Sequence, residues 1–115
     1  QRLPRIIGQG HTRELAFTGR DIDAERALRI GLVNDVYADE AALLEAARAM
    51  AKDIAKNPPL VVQGTKQVLA FSEGRSVAEG LRFVSVWNSA FLASQDLQEA
   101  FTSFAEKREP KFQGR

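Results

Sequence analysis

Apolar positions recur at helical spacing along most of this chain, and glycine, proline or capping residues break the pattern at short intervals. Residues 1–7 carry Leu3, Ile6 and Ile7 and end at Gly8, the pattern of a helix tail. Thr12 is placed as the N-cap of a short helix through Thr18, which Gly19 closes. Asp23 is a second N-cap candidate, with Ile22 and Ala27 at the positions of a hydrophobic staple. The helix it opens carries Ala24, Ala27, Leu28 and Ile30 and stops at Gly31, a residue suited to the left-handed position after a helix. Leu32, Val33, Val36 and Tyr37 follow and hold the only strand-like signal in the chain.

The second half is more regular. Over residues 40–56, Leu43, Ala47, Met50 and Ile54 share one helical face, while Glu45, Arg48, Lys52 and Lys56 fall mainly elsewhere. Asn57-Pro58-Pro59 ends that helix, because proline has no N–H to donate. A helix from Leu60 to Phe71 comes next. It retains Gly64 in its interior at a cost of about 1 kcal/mol relative to alanine, which suggests a close backbone approach there. Ser76-Val77-Ala78-Glu79 has the form of a capping box. Its helix is expected to turn Val77, Leu81, Val84, Trp87 and Phe91 toward other surfaces. Ser94 caps a last helix with an apolar stripe of Leu97, Phe101, Phe104 and Ala105. Asp96 and Glu99 suit the positive end of that helix, Lys107 and Arg108 suit its negative end, and Pro110 closes it. Two helices thus carry apolar residues on more than one face, more than a chain this short can cover alone.

Composition narrows the function classes. Sixteen basic residues face fifteen acidic ones, a net charge of +1, and the signs are interspersed. No field of one sign recruits nucleic acid or an anionic membrane, and a small helical nucleic-acid binder is disfavoured. With no cysteine there is neither a disulfide framework nor a thiolate metal site, and no metal is expected. No apolar run approaches the roughly 20 residues of a membrane span, and a cytoplasmic location is expected.

A search for catalytic constellations yields none. His11 is single and has no HExxH context, so it reads as a structural or surface residue. Gly8-Gln9-Gly10 lacks the third glycine and the preceding strand of a dinucleotide fingerprint. Asp21 and Asp23 are better explained as caps than as an acid–base pair. Glu106-Lys107-Arg108-Glu109 reads as a solvated helix end.

Taken in order, the segments carry a family resemblance. Phe17-Thr18-Gly19-Arg20, Ile22, Ala24-Glu25, Ala27 and Gly31-Leu32-Val33 resemble the FTGRxIxAEEAxxxGLVxxV stretch of enoyl-CoA hydratases and isomerases, the crotonase superfamily. Leu3-Pro4-Arg5 with Gly8 resembles the LPRxxG that leads into it, and Asn57-Pro58-Pro59 with Thr65-Lys66 resembles the family's next helix. Asp96, Glu99, Phe104, Glu106-Lys107-Arg108, Pro110 and Phe112 resemble the closing DxxEGxxAFxEKRxPxF, with Ala100 and Ser103 departing from its glycine and alanine. Val62-Gln63-Gly64-Thr65-Lys66, Trp87-Asn88 and Gln95-Asp96 are more similar to Δ3,5-Δ2,4-dienoyl-CoA isomerases than to ordinary hydratases.

The resemblance implies a mainly α structure, the C-terminal helical part of a crotonase (spiral α/β) fold with at most one short strand. Residues 1–37 would form the end of the core and its connecting short helices, and residues 38–115 the C-terminal helical assembly region. It places the catalytic acids and the oxyanion-hole N–H groups upstream of Gln1, so that no catalytic residue is expected here and the 115-residue chain alone is expected to be inactive. The parent's reaction would stabilise a thioester enolate with two peptide N–H donors while carboxylates move protons. No cofactor is implied, since the coenzyme A thioester is the substrate. By the same resemblance Phe104 and Lys107 would hold the adenine and phosphate end of CoA, often that of a neighbouring subunit. The competing assignment makes Phe104 a core residue and Lys107 a helix-end cation. The parent is expected to be a trimer or a dimer of trimers, and the isolated piece to self-associate through Trp87, Phe91, Phe101 and Phe104. The alternative to an acyl-CoA enzyme segment is a non-catalytic helical oligomerisation or interaction module.

Overall fold

The computed structural model describes residues 1–115, which form six helices and no strand. These are α1 (Leu3–Thr18), α2 (Ala24–Arg29), α3 (Glu40–Ala55), α4 (Pro59–Ser72), α5 (Val77–Phe91) and α6 (Gln95–Glu106). None is long and apolar enough to cross a membrane. The chain divides into two compact units, Gln1–Ala47 and Arg48–Arg115. This division falls inside α3, whereas the one expected at residue 37/38 separates roles.

In the first unit, α1 is one helix in name and two in geometry. Gly8 sits at φ 76°, ψ 167°, outside helical space, and the helix resumes directly after it. Thr12 therefore lies within the second segment and is not its cap; its hydroxyl donates back to the Gly8 carbonyl at 2.7 Å. Gly19 closes the helix in a left-handed conformation, its N–H donating to the Leu15 carbonyl. The caps of α2 follow the sequence. The Asp23 carboxylate accepts from the Arg26 N–H at 2.6 Å. At the other end Gly31 adopts φ 75°, the Gly31 N–H donates to the Leu28 carbonyl, and the Leu32 N–H donates to the Ala27 carbonyl. These two bonds make a complete Schellman motif. The Arg26 guanidinium ties α2 to α1 through Glu14 at 3.1 Å. Ile7, Ala27 and Ile30 are the buried apolar residues of the unit. Residues 32–37 are irregular. Leu32, Val33 and Val36 are exposed there with no neighbouring strand to pair with.

Asp39 accepts from the Ala42 N–H at 2.8 Å and caps α3, a cap the periodicity alone does not single out. The amide of Asn57 folds back onto the Asp53 carbonyl at 2.9 Å, satisfying one of the last orphan acceptors of α3 before the prolines.

The second unit is organised by the pairing of α4 and α5. Ser72 lies against Gly80, Phe71 stacks on Phe83 with ring centroids 4.2 Å apart, and Trp87 lies over Gly64. The partners run in opposite chain directions, which makes an antiparallel helical hairpin. A Cβ at Gly64 would fall 2.7 Å from Trp87 Cε2, so the indole lies directly on bare helix backbone. Trp87 also meets Phe91 at 4.5 Å between centroids, and the Arg75 guanidinium covers the far end of the row, 4.1 Å above Phe71. The surface that half-buried Trp87 turns toward is thus α4, where Gly64 lacks the side chain that would have kept the indole out. The capping box of α5 is complete, with the Ser76 N–H donating to Glu79 Oε2 at 2.9 Å and the Glu79 N–H donating to Ser76 Oγ at 3.3 Å.

The accessible surface is 9451 Å². A compact chain of this mass exposes about 6,200 Å², and two separately folded halves of it about 7,500 Å². The excess is apolar in good part and includes Leu43, Met50 and Ile54 on α3, Leu81 and Val86 on α5, and Phe101 and Phe104 on α6.

Two glycine substitutions test the packing. Gly10→Ala meets no atom within 4 Å and should stabilise the chain by up to about 1 kcal/mol through helix propensity. Gly64→Ala gains the same propensity but must displace the indole, and overpacking of about 1–3 kcal/mol outweighs it. Urea midpoints should move up for the first and down for the second.

Candidate functional site

The functional residues suggested by the sequence lie at the end of α6. Ser94 opens that helix, its hydroxyl accepting from the Leu97 N–H at 3.2 Å. Asp96 follows in the first turn and is 2 % exposed. Its carboxylate accepts from the Gln113 N–H at 2.7 Å and the Gly114 N–H at 2.8 Å, while its own N–H donates to the Arg115 carbonyl at 3.1 Å. Gly114 rests beside Pro59, at the start of α4. Asp96 thus fastens the tail across the beginning of its own helix, a role more specific than the favourable dipole position read from the sequence.

Glu99, one turn later, performs the same service further along. It accepts a two-bond fork from Arg108, 2.6 Å to Oε1 and 2.9 Å to Oε2, and the Lys111 N–H at 2.7 Å. Arg108 also donates to Glu106 at 2.6 Å and to the Glu109 carbonyl at 3.1 Å. Residues 106–109 are an exposed helix end, as expected, and Arg108 within it is also tied back to the helix. The chain turns back after α6, and separation along the sequence hides the partnership of Glu99 with Arg108. The Arg108 fork, together with the Lys111 N–H, holds the Glu99 carboxyl down to about 2.

Between these contacts lie Phe104 and Lys107. Phe104 is 85 % exposed in this chain. Lys107 has φ 54° and ψ 39°, the one residue other than glycine with positive φ. The Lys107 N–H donates to the Phe104 carbonyl at 3.3 Å and the Arg108 N–H to the Ser103 carbonyl at 3.0 Å, the bonds of a Schellman closure with lysine where glycine is usual. The left-handed conformation costs a lysine about 1 kcal/mol relative to glycine. Such outliers cluster where function holds them. The Lys107 side chain makes no ion pair, while Arg108 pairs with both Glu99 and Glu106.

A second feature of this unit is an apolar groove of about 340 Å³ among α4, α5 and α6, lined by residues such as Val61, Thr65, Val68, Val84, Phe91 and Leu97. Asp96 is its one carboxylate, and both oxygens are taken by the tail. The groove can receive apolar matter, and it presents no acid–base pair. His11 stands in the other unit, half exposed and 3.6 Å from Glu14.

The lowered Glu99 carboxyl fixes a pH response. A depressed acid adds stability above its unfolded value, near 4.5, and loses it as pH falls toward about 2. The Lys111 amide should stay protected from exchange at pH 3 and lose protection near pH 2. Glu99→Gln should flatten the stability profile between those limits; an unchanged slope would contradict the clamp.

The comparisons agree with this geometry along the whole chain. Residues 1–115 match the family described as Enoyl-CoA hydratase/isomerase. A mitochondrial Δ(3,5)-Δ(2,4)-dienoyl-CoA isomerase of Dictyostelium discoideum is 52 % identical over 112 residues, covering 97 % of this chain and 38 % of that protein. A peroxisomal protein of the same name from Arabidopsis thaliana is 42 % identical, covering 97 % of this chain and 40 % of that one. The crystal structure of an enoyl-CoA hydratase from Bacillus anthracis superposes on the whole chain with a TM-score of 0.94 at 35 % identity, and the match takes up 44 % of that structure. The chain thus spans about two fifths of the length of these relatives. Built of six helices and matched over every residue, the chain belongs to the enoyl-CoA hydratase/isomerase, or crotonase, family.

Proposed function

We propose that this chain is the C-terminal helical segment of an acyl-CoA isomerase of the dienoyl-CoA type, and that it contributes assembly surface and one edge of the CoA site. The observation that carries the proposal is the turn at the end of α6, where an exposed aromatic ring is followed three residues on by a lysine in a left-handed conformation that makes no ion pair. Adenine stacks on such a ring, and a phosphate meets such an ammonium. The names of the two dienoyl-CoA isomerases to which the chain is 52 % and 42 % identical favour that reading over a hydratase. In that enzyme the proton-moving acids and oxyanion donors belong to the remainder of the protein, and nothing in residues 1–115 replaces them. The setting is the cytoplasm or an organelle interior, the latter being what the names of the eukaryotic relatives state.

Affinity for CoA and for 3′-dephospho-CoA tests the site. Phe104→Ala should weaken both ligands, by about fivefold or more if adenine stacks on the ring. Lys107→Ala should weaken CoA about tenfold and leave dephospho-CoA nearly unchanged, a charge-assisted contact being lost. Equal effects of Lys107→Ala on the two ligands would remove the phosphate assignment.

The surplus of apolar surface supports a second role, assembly of copies of this chain, with the trimer or dimer of trimers of the parent as its final form. Phe101 and Phe104 are open for it, whereas Trp87 is already packed within its own hairpin. Sedimentation of the 115-residue chain should show self-association that rises with concentration; a clean monomer at high concentration contradicts the assembly role.

A further inference from the structure

We infer that Glu99 and Arg108 are positioning residues that hold the Phe104–Lys107 turn in the shape that meets an adenosine phosphate. This rests on the CoA reading of the turn and extends it to two side chains which that reading leaves unassigned.

The first argument is conformational. A lysine gains nothing from the left-handed conformation, unlike asparagine or aspartate, whose short side chains bond locally. The two backbone bonds that close the turn are 3.3 Å and 3.0 Å, the first at the long end of the usual range. A turn closed so lightly around an unfavourable residue needs a restraint from outside. Glu99 supplies it. The Arg108 fork binds the residue after Lys107 to a carboxylate two turns earlier in α6, and the Lys111 N–H returns to the same carboxylate. Both bonds lie just after Lys107 and hold the chain that leaves the turn against the helix that enters it.

The second argument is electrostatic. Arg108 has the residue type best suited to fork a phosphate. Here four of its five N–H groups go to Glu99, Glu106 and the Glu109 carbonyl. It serves first as an internal clamp, and a forked grip on a phosphate would have to break those bonds. It pairs with Glu99 and Glu106, and neither carboxylate forms an ion pair with Lys107. One guanidinium thus ties the residue after Lys107 back to α6.

The test is an NMR titration of the chain with adenosine 3′,5′-bisphosphate, following the amides of Phe104, Lys107 and Lys111. The wild-type chain should show saturable shifts at Phe104 and Lys107 that weaken with salt. Glu99→Gln should weaken the probe about fivefold, as a pre-formed turn becomes one that must be ordered on binding, and should remove exchange protection at Lys111. Arg108→Lys keeps the charge but loses the fork; it should behave like Glu99→Gln, and it gives the reading if that variant melts α6. Lys107→Gly should keep the turn, raise the unfolding midpoint and lose the salt-dependent part of binding. Wild-type binding with unchanged affinity in Glu99→Gln or in a folded Arg108→Lys overturns the positioning role and leaves the CoA reading standing. No binding by the wild-type chain overturns the CoA reading, and the inference with it.

Discussion

The helical hairpin of α4 and α5 closes where the indole of Trp87 lies on the backbone of Gly64. A side chain at that point would hold the two helices apart by the width of at least a methyl group. The Phe71–Phe83 stack, the approach of Trp87 to Phe91 and the guanidinium of Arg75 above Phe71 depend on the resulting separation. So does the groove, whose floor includes Gly64 and Trp87 themselves. Interhelical distance is set by the residues at the contact. Here one glycine, unfavourable for its own helix, sets it for the whole second unit.

Local signals in the sequence were legible because the groups that make them are near neighbours. Asp23, Ser76 and Ser94 cap the helices they precede, each accepting an N–H three residues on. Gly19 and Gly31 close helices in the left-handed form. Thr12 misled because its hydroxyl serves a mid-helix carbonyl as readily as a helix start. The apolar run from Leu32 to Tyr37 looked strand-like, yet a strand exists only where another pairs with it. The direction taken by Trp87 was hidden as well, since the wheel of α5 says which residues share a face but not which glycine on α4 lies opposite.

The candidate site divides in the same way. Phe104 and Lys107 were found through family resemblance, and their geometry, one exposed and the other left-handed, came from the fold. Glu99 and Arg108 stand out in the sequence as charges suited to opposite helix ends and as letters of the closing motif, not as partners. Their pairing spans a reversal of the chain, which no periodicity encodes. Surface left uncovered in the chain alone is then a sign of what the segment is built to meet.

The grip of Asp96 on the tail has a consequence for how this region tolerates change. Its carboxylate receives main-chain N–H groups, not side chains, at residues 113 and 114. Recognition of that kind is blind to most of the genetic alphabet. At residue 113 nearly any side chain satisfies it, and the one exclusion is proline, which has no hydrogen to give. Residue 114 is narrower, because its φ of 76° and the nearby ring of Pro59 also favour glycine. The path of the tail can therefore persist while its letters drift, and a comparison of sequences alone would mistake a fixed anchor for a frayed end.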